Sequence, residues 1–223
     1  MTGLDGFALR RSTTAQQVAD GLSERILAGA FSPGDRLRES AIATELGVAR
    51  NTIREAVRIL ERGGLVRYEV NRGAVVISPT PENVDALYTA RERLETAAVS
   101  RVSSETPLTK IGEAFEALAE AAGSRDARLI VDKDLAFHSA IVALLNSSRL
   151  DEFYADLTRE LRFYLMVLSM EEREYEKPDI VLAEHEVILA AIRSRDPDRA
   201  VHEVRAHIET NAQRLKDILA ERG

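Results

Sequence analysis

The sequence predicts a mainly α protein: an N-terminal winged helix-turn-helix of three helices plus a β-hairpin, followed by a C-terminal all-α antiparallel bundle of six to seven helices. Three observations carry this. Three short helical periods follow one another before residue 63. The period then switches to β-rich runs around Asn71-Arg72-Gly73. After Thr80-Pro81 only helical periodicity is found.

Thr14 to Ala28 forms the first helix, with Val18, Leu22, Ile26 and Leu27 at helical spacing and a stop at Gly29 before Ser32-Pro33-Gly34-Asp35. Glu39 to Leu46 is a short second helix ended by Gly47. Arg50 to Arg62 is the third, with Ile53, Ala56, Val57 and Leu60 on one face and Gly63-Gly64 closing it. Residues 65–70 and 74–77 are strands of a hairpin. Ser78-Pro79-Thr80-Pro81 is the only dense proline stretch, and Thr80 before Pro81 suits a helix N-cap. The domain boundary is placed there, dividing 1–78 from 79–223. Helices then follow at about 81–103, 107–122, 126–145, 148–170, 179–194 and 197–220, separated by Pro107, Gly123, Asn146-Ser147-Ser148, Pro178 and Asp196-Pro197. Short connections between them favour antiparallel packing.

Composition bounds the function. The 223 residues are 45% hydrophobic and 30% charged, with no apolar run of membrane-spanning length. Residues Met1 to Arg11 lack the apolar run of a secretory signal and there is no cysteine, so disulfides, thiolate metal sites and cysteine nucleophiles are excluded and a cytoplasmic address is expected. Net charge is −7, but residues 1–78 carry 11 basic and 9 acidic side chains against 19 and 28 in the remainder. A polyanion would meet the first segment.

On the third helix Arg50, Arg54, Arg58 and Arg62 recur every four residues, opposite the apolar face. Such a row suits phosphates, and arginine pairs bidentately with guanine in the major groove. Arg50 and Arg54, near the N-terminus of the recognition helix, are the expected base readers, with Arg38 and the wing residues Arg72 and Gly73 on flanking backbone or minor groove. The alternative is a solvated row paired with Glu55 or Glu61. The stretches Pro33 to Ser40, Leu46 to Ala56, Gly64 to Val66 and Asn71 to Ala74 together resemble the GntR-type bacterial transcription regulators, with Ala49 where that family more often has serine and Asn51-Thr52 where it has threonine-proline. The resemblance implies DNA contact by Arg38, Arg50, Arg54 and the wing around Gly73.

In the second half, polar residues fall on apolar stripes, where an unpartnered polar group costs roughly 2–7 kcal/mol. Asp134 and His138 lie four apart within the stripe of helix 126–145, His185 sits between Val181/Leu182 and Ile188/Leu189, and His207 sits between Val204 and Ile208 with Asn211 one turn on. At roughly 100° per residue, His202 lies about 140° from His207 and belongs on the surface. Asp134, His138, His185 and His207 suit a divalent transition metal, zinc first with nickel or manganese as alternatives. Buried His-Asp hydrogen bonds are the competing reading. Arg91 fills a missing step of the stripe Val84, Leu87, Leu94, Ala98, either to pair with Glu95 or to clamp an anionic ligand; Arg162 is a weaker candidate. Residues 81–220 resemble the ligand-sensing FCD domain of the FadR subgroup, through Arg91 to Glu95, Asp134 to His138, Glu184-His185 and His207. That resemblance implies a metal held by the Asp and the three His; Leu145 stands where a glycine is common.

The expected function is a homodimeric, ligand-responsive repressor, not an enzyme, binding double-stranded palindromic operator DNA and sensing a small carboxylate beside the metal. The effector residues would be Arg91, Arg162 and Asn211. Two rival functions fit the same residues. A metal-responsive regulator would have the metal itself as its signal, and a metalloenzyme would activate water, although four protein ligands leave little room and Glu184 is expected on a different helical face from His185.

Overall fold

The computed structural model describes residues 13–28, 30–62, 64–77, 80–172 and 176–221. The chain divides into two compact units, Met1–Ser78 and Pro79–Gly223. The expected stops at Gly29 and Gly63 and the Ser78-Pro79 linker lie outside the described residues.

In the first unit α1 (Thr14–Leu27) begins where Thr13 accepts a hydrogen bond from Gln16 N at 3.1 Å. Its buried stripe is Ala15, Ala19, Leu22 and Ile26, and Val18 is only half-buried. α2 (Glu39–Leu46) ends because Gly47 takes the left-handed conformation at φ 64°, which turns the chain directly into α3 (Arg50–Arg62). Ile53, Ala56, Val57 and Leu60 of α3 are buried, and α3 packs on α1, α2 and the first strand. Strands β1 (Val66–Glu69) and β2 (Gly73–Val76) pair antiparallel from Val66↔Val76 to Glu69↔Gly73, and Asn71 and Gly73 supply the positive φ angles of 64° and 77° for the turn. Leu37 N donates to Ala74 O at 2.9 Å and Val76 N to Asp35 O at 2.8 Å, so the segment before α2 is stitched to the wing's free edge.

All regular elements among the second unit's described residues are helical: α4 (Pro81–Val99), α5 (Thr109–Ser124), α6 (Ala127–Val142), a 3-10 turn (Ala143–Leu145), α7 (Ser148–Glu172), α8 (Pro178–Arg193) and α9 (Pro197–Glu221). Thr80 caps α4, accepting from Asn83 N, and Asp126 caps α6, accepting from Arg128 N and Leu129 N. Gly123 does not break α5 as expected: it lies inside the helix, and Arg125 at φ 56° ends it. Likewise α6 stops at Val142, passes through the 3-10 turn, and leaves it at Asn146 with φ 50°. α4 is shorter than predicted because residues 101 and 102 close i→i+3 bonds to Ala98 and Val99 and unwind it. α6 packs on α4, α5 and α7, and α9 on α4, α7 and α8, so α6, α8 and α9 turn their apolar faces inward.

Candidate DNA interface and buried histidine centre

On the first unit, the apolar face of α3 is committed to the core, which fixes its opposite face outward. Arg50, Arg54, Arg58 and Arg62 are all exposed. Glu55 is taken by Asn51 Nδ2 at 3.1 Å and Glu61 accepts from Tyr68 N at 3.3 Å, which leaves the guanidinium row facing solvent. A groove of about 800 Å³ is lined by Arg36, Arg38, Ser40, Arg50, Arg54 and Gly73, among others. Arg72 is placed differently: it donates to Glu69 Oε2 at 2.7 Å and to Gly34 O at 3.1 Å, stiffening the wing. The hydrogen bond from Arg67, followed by the charge of Arg72, holds the Glu69 carboxyl below its usual range. Tyr68 OH donates to Glu39, and burial followed by that bond pushes its phenol up to about 12. Arg36 was not singled out from the sequence; it is brought in by its bridge to Val75, which sets its guanidinium 3.8 Å from where a Gly73 Cβ would stand.

In the second unit three helices bring Asp134, His138, His185 and His207 together. One ring nitrogen from each histidine lies within 4.8 Å of the other two. His138 stacks on His207 at 5.2 Å, and Phe137 packs edge-on against His138 and His185 at 5.4 and 5.3 Å. Exposure is 0% for His138, 2% for His185, 8% for His207 and 7% for Asp134, whereas His202 is exposed.

Hydrogen bonds behind the rings decide which nitrogen faces the centre. His185 Nδ1 lies 2.7 Å from Val181 O, an acceptor only, so Nδ1 carries the proton. His138 Nδ1 lies 2.6 Å from Glu95 Oε2 and donates to that carboxylate. Both Nε2 atoms are therefore turned inward toward Asp134, at 3.7 Å from Oδ2 for His138 and 3.4 Å from Oδ1 for His185. Neither Nε2 nor Asp134 Oδ2 makes a hydrogen bond, although all three are buried. Lone pairs facing a carboxylate repel unless a proton or a cation lies among them. Burial, then Arg91, lowers the His138 pKa; burial, then the other two histidines, lowers that of His207 further. Both rings are therefore held neutral, as metal ligation requires. For His185 the pull of burial is overcome by Asp134, which raises it, and burial of Asp134 is overcome by His185 and His138, which hold it far below the carboxylate range. The donor set and its three unbonded atoms fit a divalent transition metal.

Glu95, which the sequence offers as a partner of Arg91, is the hub behind His138. It is fully buried and accepts from Arg91 Nε at 2.8 Å, Tyr154 OH at 2.6 Å and His138 Nδ1 at 2.6 Å. The burial that would raise its carboxyl is outweighed by His138 and Arg91, leaving it at about 2. Arg91 is fully buried against the Tyr88 ring at 5.8 Å, and its Nη1 and Nη2 make no hydrogen bond.

Beside the histidines lies a cavity of about 30 Å³ whose polar lining is Asp134, His185, Asn211, Glu184 and Ser169. Asn211 Nδ2 reaches His207 Nε2 at 3.2 Å. Arg91 and Arg162 do not line this cavity; Arg162 is about one-third exposed and pairs with Asp132. Glu184, expected on another face, reaches the site: it lines the cavity, approaches His207 Nδ1 at 3.7 Å and accepts from Arg214 at 3.3 Å. Arg214, also bonded to Glu172, draws it over the rim.

Comparison with known proteins places these sites in context. Residues 14–76 match the model of the bacterial regulatory proteins of the gntR family, and residues 86–210 match the FCD domain. An uncharacterized HTH-type transcriptional regulator of Bacillus subtilis (strain 168), YdhC, is 29% identical over 98% of both chains. The gluconate operon transcriptional repressor of Bacillus licheniformis is 28% identical, over 94% of this chain and 88% of that protein. The crystal structure of a putative GntR transcriptional regulator from Rhodococcus sp. RHA1 superimposes with a TM-score of 0.76 at 31% identity, covering 92% of this chain and 98% of that one.

Proposed function

Since the chain belongs to the GntR family, and is a DNA-binding transcriptional regulator with an FCD domain rather than an enzyme, we propose that it is a repressor that binds a palindromic operator as a homodimer and responds to a small carboxylate beside a metal. Repression is supported by the relatives named as repressors, among them the gluconate operon repressor. A dimer is supported by the single recognition helix of each chain, which offers only a half-site. Among the described residues no helix is long and apolar enough to cross a membrane.

The observation that carries the sensing role is the trio of buried atoms without hydrogen bonds, Asp134 Oδ2, His138 Nε2 and His185 Nε2. Asp134, His138, His185 and His207 would hold the ion, zinc first, and the ion would act as a Lewis acid for a carboxylate oxygen. Glu95 and the Val181 carbonyl keep the ring nitrogens turned to it. Arg91 adds positive potential behind His138, and Asn211 offers a polar contact in the cavity. The cavity of about 30 Å³ supports a second reading, in which the metal alone is the signal. Operator binding measured with metal-stripped protein, then with zinc, then with organic acids separates the two. The proposal expects an acid to change DNA affinity only after zinc is restored. An equal response in stripped protein would overturn it.

A further inference from the structure

Ser169 lies in α7, 1% exposed, and its hydroxyl makes no hydrogen bond. That is unusual for this chain. Four part-buried hydroxyls in helices or at their ends turn back onto the carbonyl three or four residues earlier: Thr96 on Glu92 at 2.6 Å, Ser124 on Ala121 at 2.7 Å, Ser139 on Leu135 at 2.7 Å and Ser194 on Ala191 at 2.6 Å. Ser169 has no such bond, and it lines the cavity that also receives Asp134, His185 and Asn211. Among the described residues of α7 the others lining that wall are Leu165 and Leu168, so of these side chains Ser169 alone is polar. A buried hydroxyl left unsatisfied needs an occupant of the cavity to bond it.

We propose that Ser169 is a specificity-determining residue of the effector site, its hydroxyl meeting the hydroxyl group of a short hydroxycarboxylate. This rests on the carboxylate reading above. The cavity has the volume of about one water molecule, so it admits a ligand's polar head rather than a long chain. A carboxylate belongs toward the histidines, where a metal and the Arg91 charge favour it. What remains for Ser169, across an otherwise apolar wall, is a group that can both donate and accept, as a hydroxyl does. In the absence of ligand a single water would take that place, and a ligand hydroxyl reproduces its bonds on displacing it. An unsubstituted acid such as propionate reproduces none of them.

The test uses full-length, zinc-loaded protein and calorimetric titration with propionate, lactate and 3-hydroxypropionate. The wild type is expected to prefer a hydroxy acid to propionate, and Ser169→Ala to shrink that preference by about fivefold to tenfold, the worth of one hydrogen bond. Comparing ratios removes any contribution the hydroxyl makes directly at the metal. Because the hydroxyl makes no hydrogen bond to the protein, Ser169→Ala should melt close to the wild-type temperature; a clearly lower melting point would show a structural partner and overturn the proposal. If acids bind and the preference is unchanged in Ser169→Ala, the Ser169 assignment falls while the carboxylate reading stands. If none of the three acids binds, both fall.

Discussion

Replacing Glu95 by leucine is expected to destabilise the C-terminal unit far more than removal of any surface carboxylate. The side chain is fully buried and, among the described residues, is the ion-pair partner of the Arg91 guanidinium, whose Nη atoms already lack hydrogen bonds. Breaking a buried ion pair on one side costs about 3–5 kcal/mol, because the remaining charge is left uncompensated. Tyr154 OH and His138 Nδ1 lose their acceptor as well, each worth about 1–3 kcal/mol when left unsatisfied, though these terms overlap. Taking about 4 kcal/mol, and a urea dependence of about 2 kcal/mol per molar, the midpoint should fall by about 2 M. The measurement is urea unfolding of metal-free protein followed by helical circular dichroism. Glu209→Ala, on the exposed face of α9, serves as reference and should stay within about 0.5 kcal/mol of wild type. Substituting both members, Arg91→Met with Glu95→Leu, should recover much of the loss, since no charge is then stranded. A shift below about 0.5 M for Glu95→Leu alone would refute the view that this carboxylate is the counter-ion of the core.

The DNA-facing arginines divide by role. Arg50→Ala and Arg54→Ala should each weaken operator binding by about 1–3 kcal/mol with relaxed sequence preference, while Arg38→Ala weakens all DNA alike and flattens the salt dependence. Equal loss on operator and random DNA for Arg54→Ala would remove it from the base readers. Purified protein should contain about one divalent metal per chain, lost in His138→Ala and His207→Ala and retained in His202→Ala, as read by elemental analysis. Metal loss from the His202 variant, or retention in both others, would refute the centre.

Much of the fold was legible because each element announces itself locally. Gly47 after Leu46, the Asn71-Arg72-Gly73 turn and Thr80 before Pro81 are punctuation whose backbone conformation is set by the residue itself, and α2, α3 and the wing lie where it places them. The inward histidines were legible for a related reason, since a polar residue on a helix's apolar stripe must be buried whatever the tertiary arrangement. What depends on neighbours distant in sequence was not legible. Glu95 looks like an ordinary i+4 partner of Arg91, and its bonds to His138 and Tyr154 span 43 and 59 residues. Glu184 is a full helical step from His185, and only Arg214 of α9 explains why it bends to the rim. Gly123 misled because a glycine can be carried inside a helix that packing stabilises. Ser169 gave no signal, since serine on a helix is ordinarily satisfied by its own backbone.

Charge in the bundle ties the metal to the kind of signal it suits. Asp134 and Glu95 are both held ionised, Arg91 remains cationic, and the pull of burial keeps His138 and His207 neutral. With His185 also neutral the buried centre carries one excess negative charge, and Asp134 beside it overcomes burial to raise the His185 pKa, which favours a proton there when no cation is bound. A divalent ion would displace that proton and turn the excess into a single positive charge among buried side chains. Such a charge is costly to leave uncompensated in a low-dielectric core. Glu184 lines the same cavity, but it is shared with Arg214 at the rim, and burial raises its pKa. A monoanion entering from the cavity side restores neutrality without drawing Glu184 away from α9. A neutral sugar does not, and for that reason the metal and a carboxylate effector belong to one proposal.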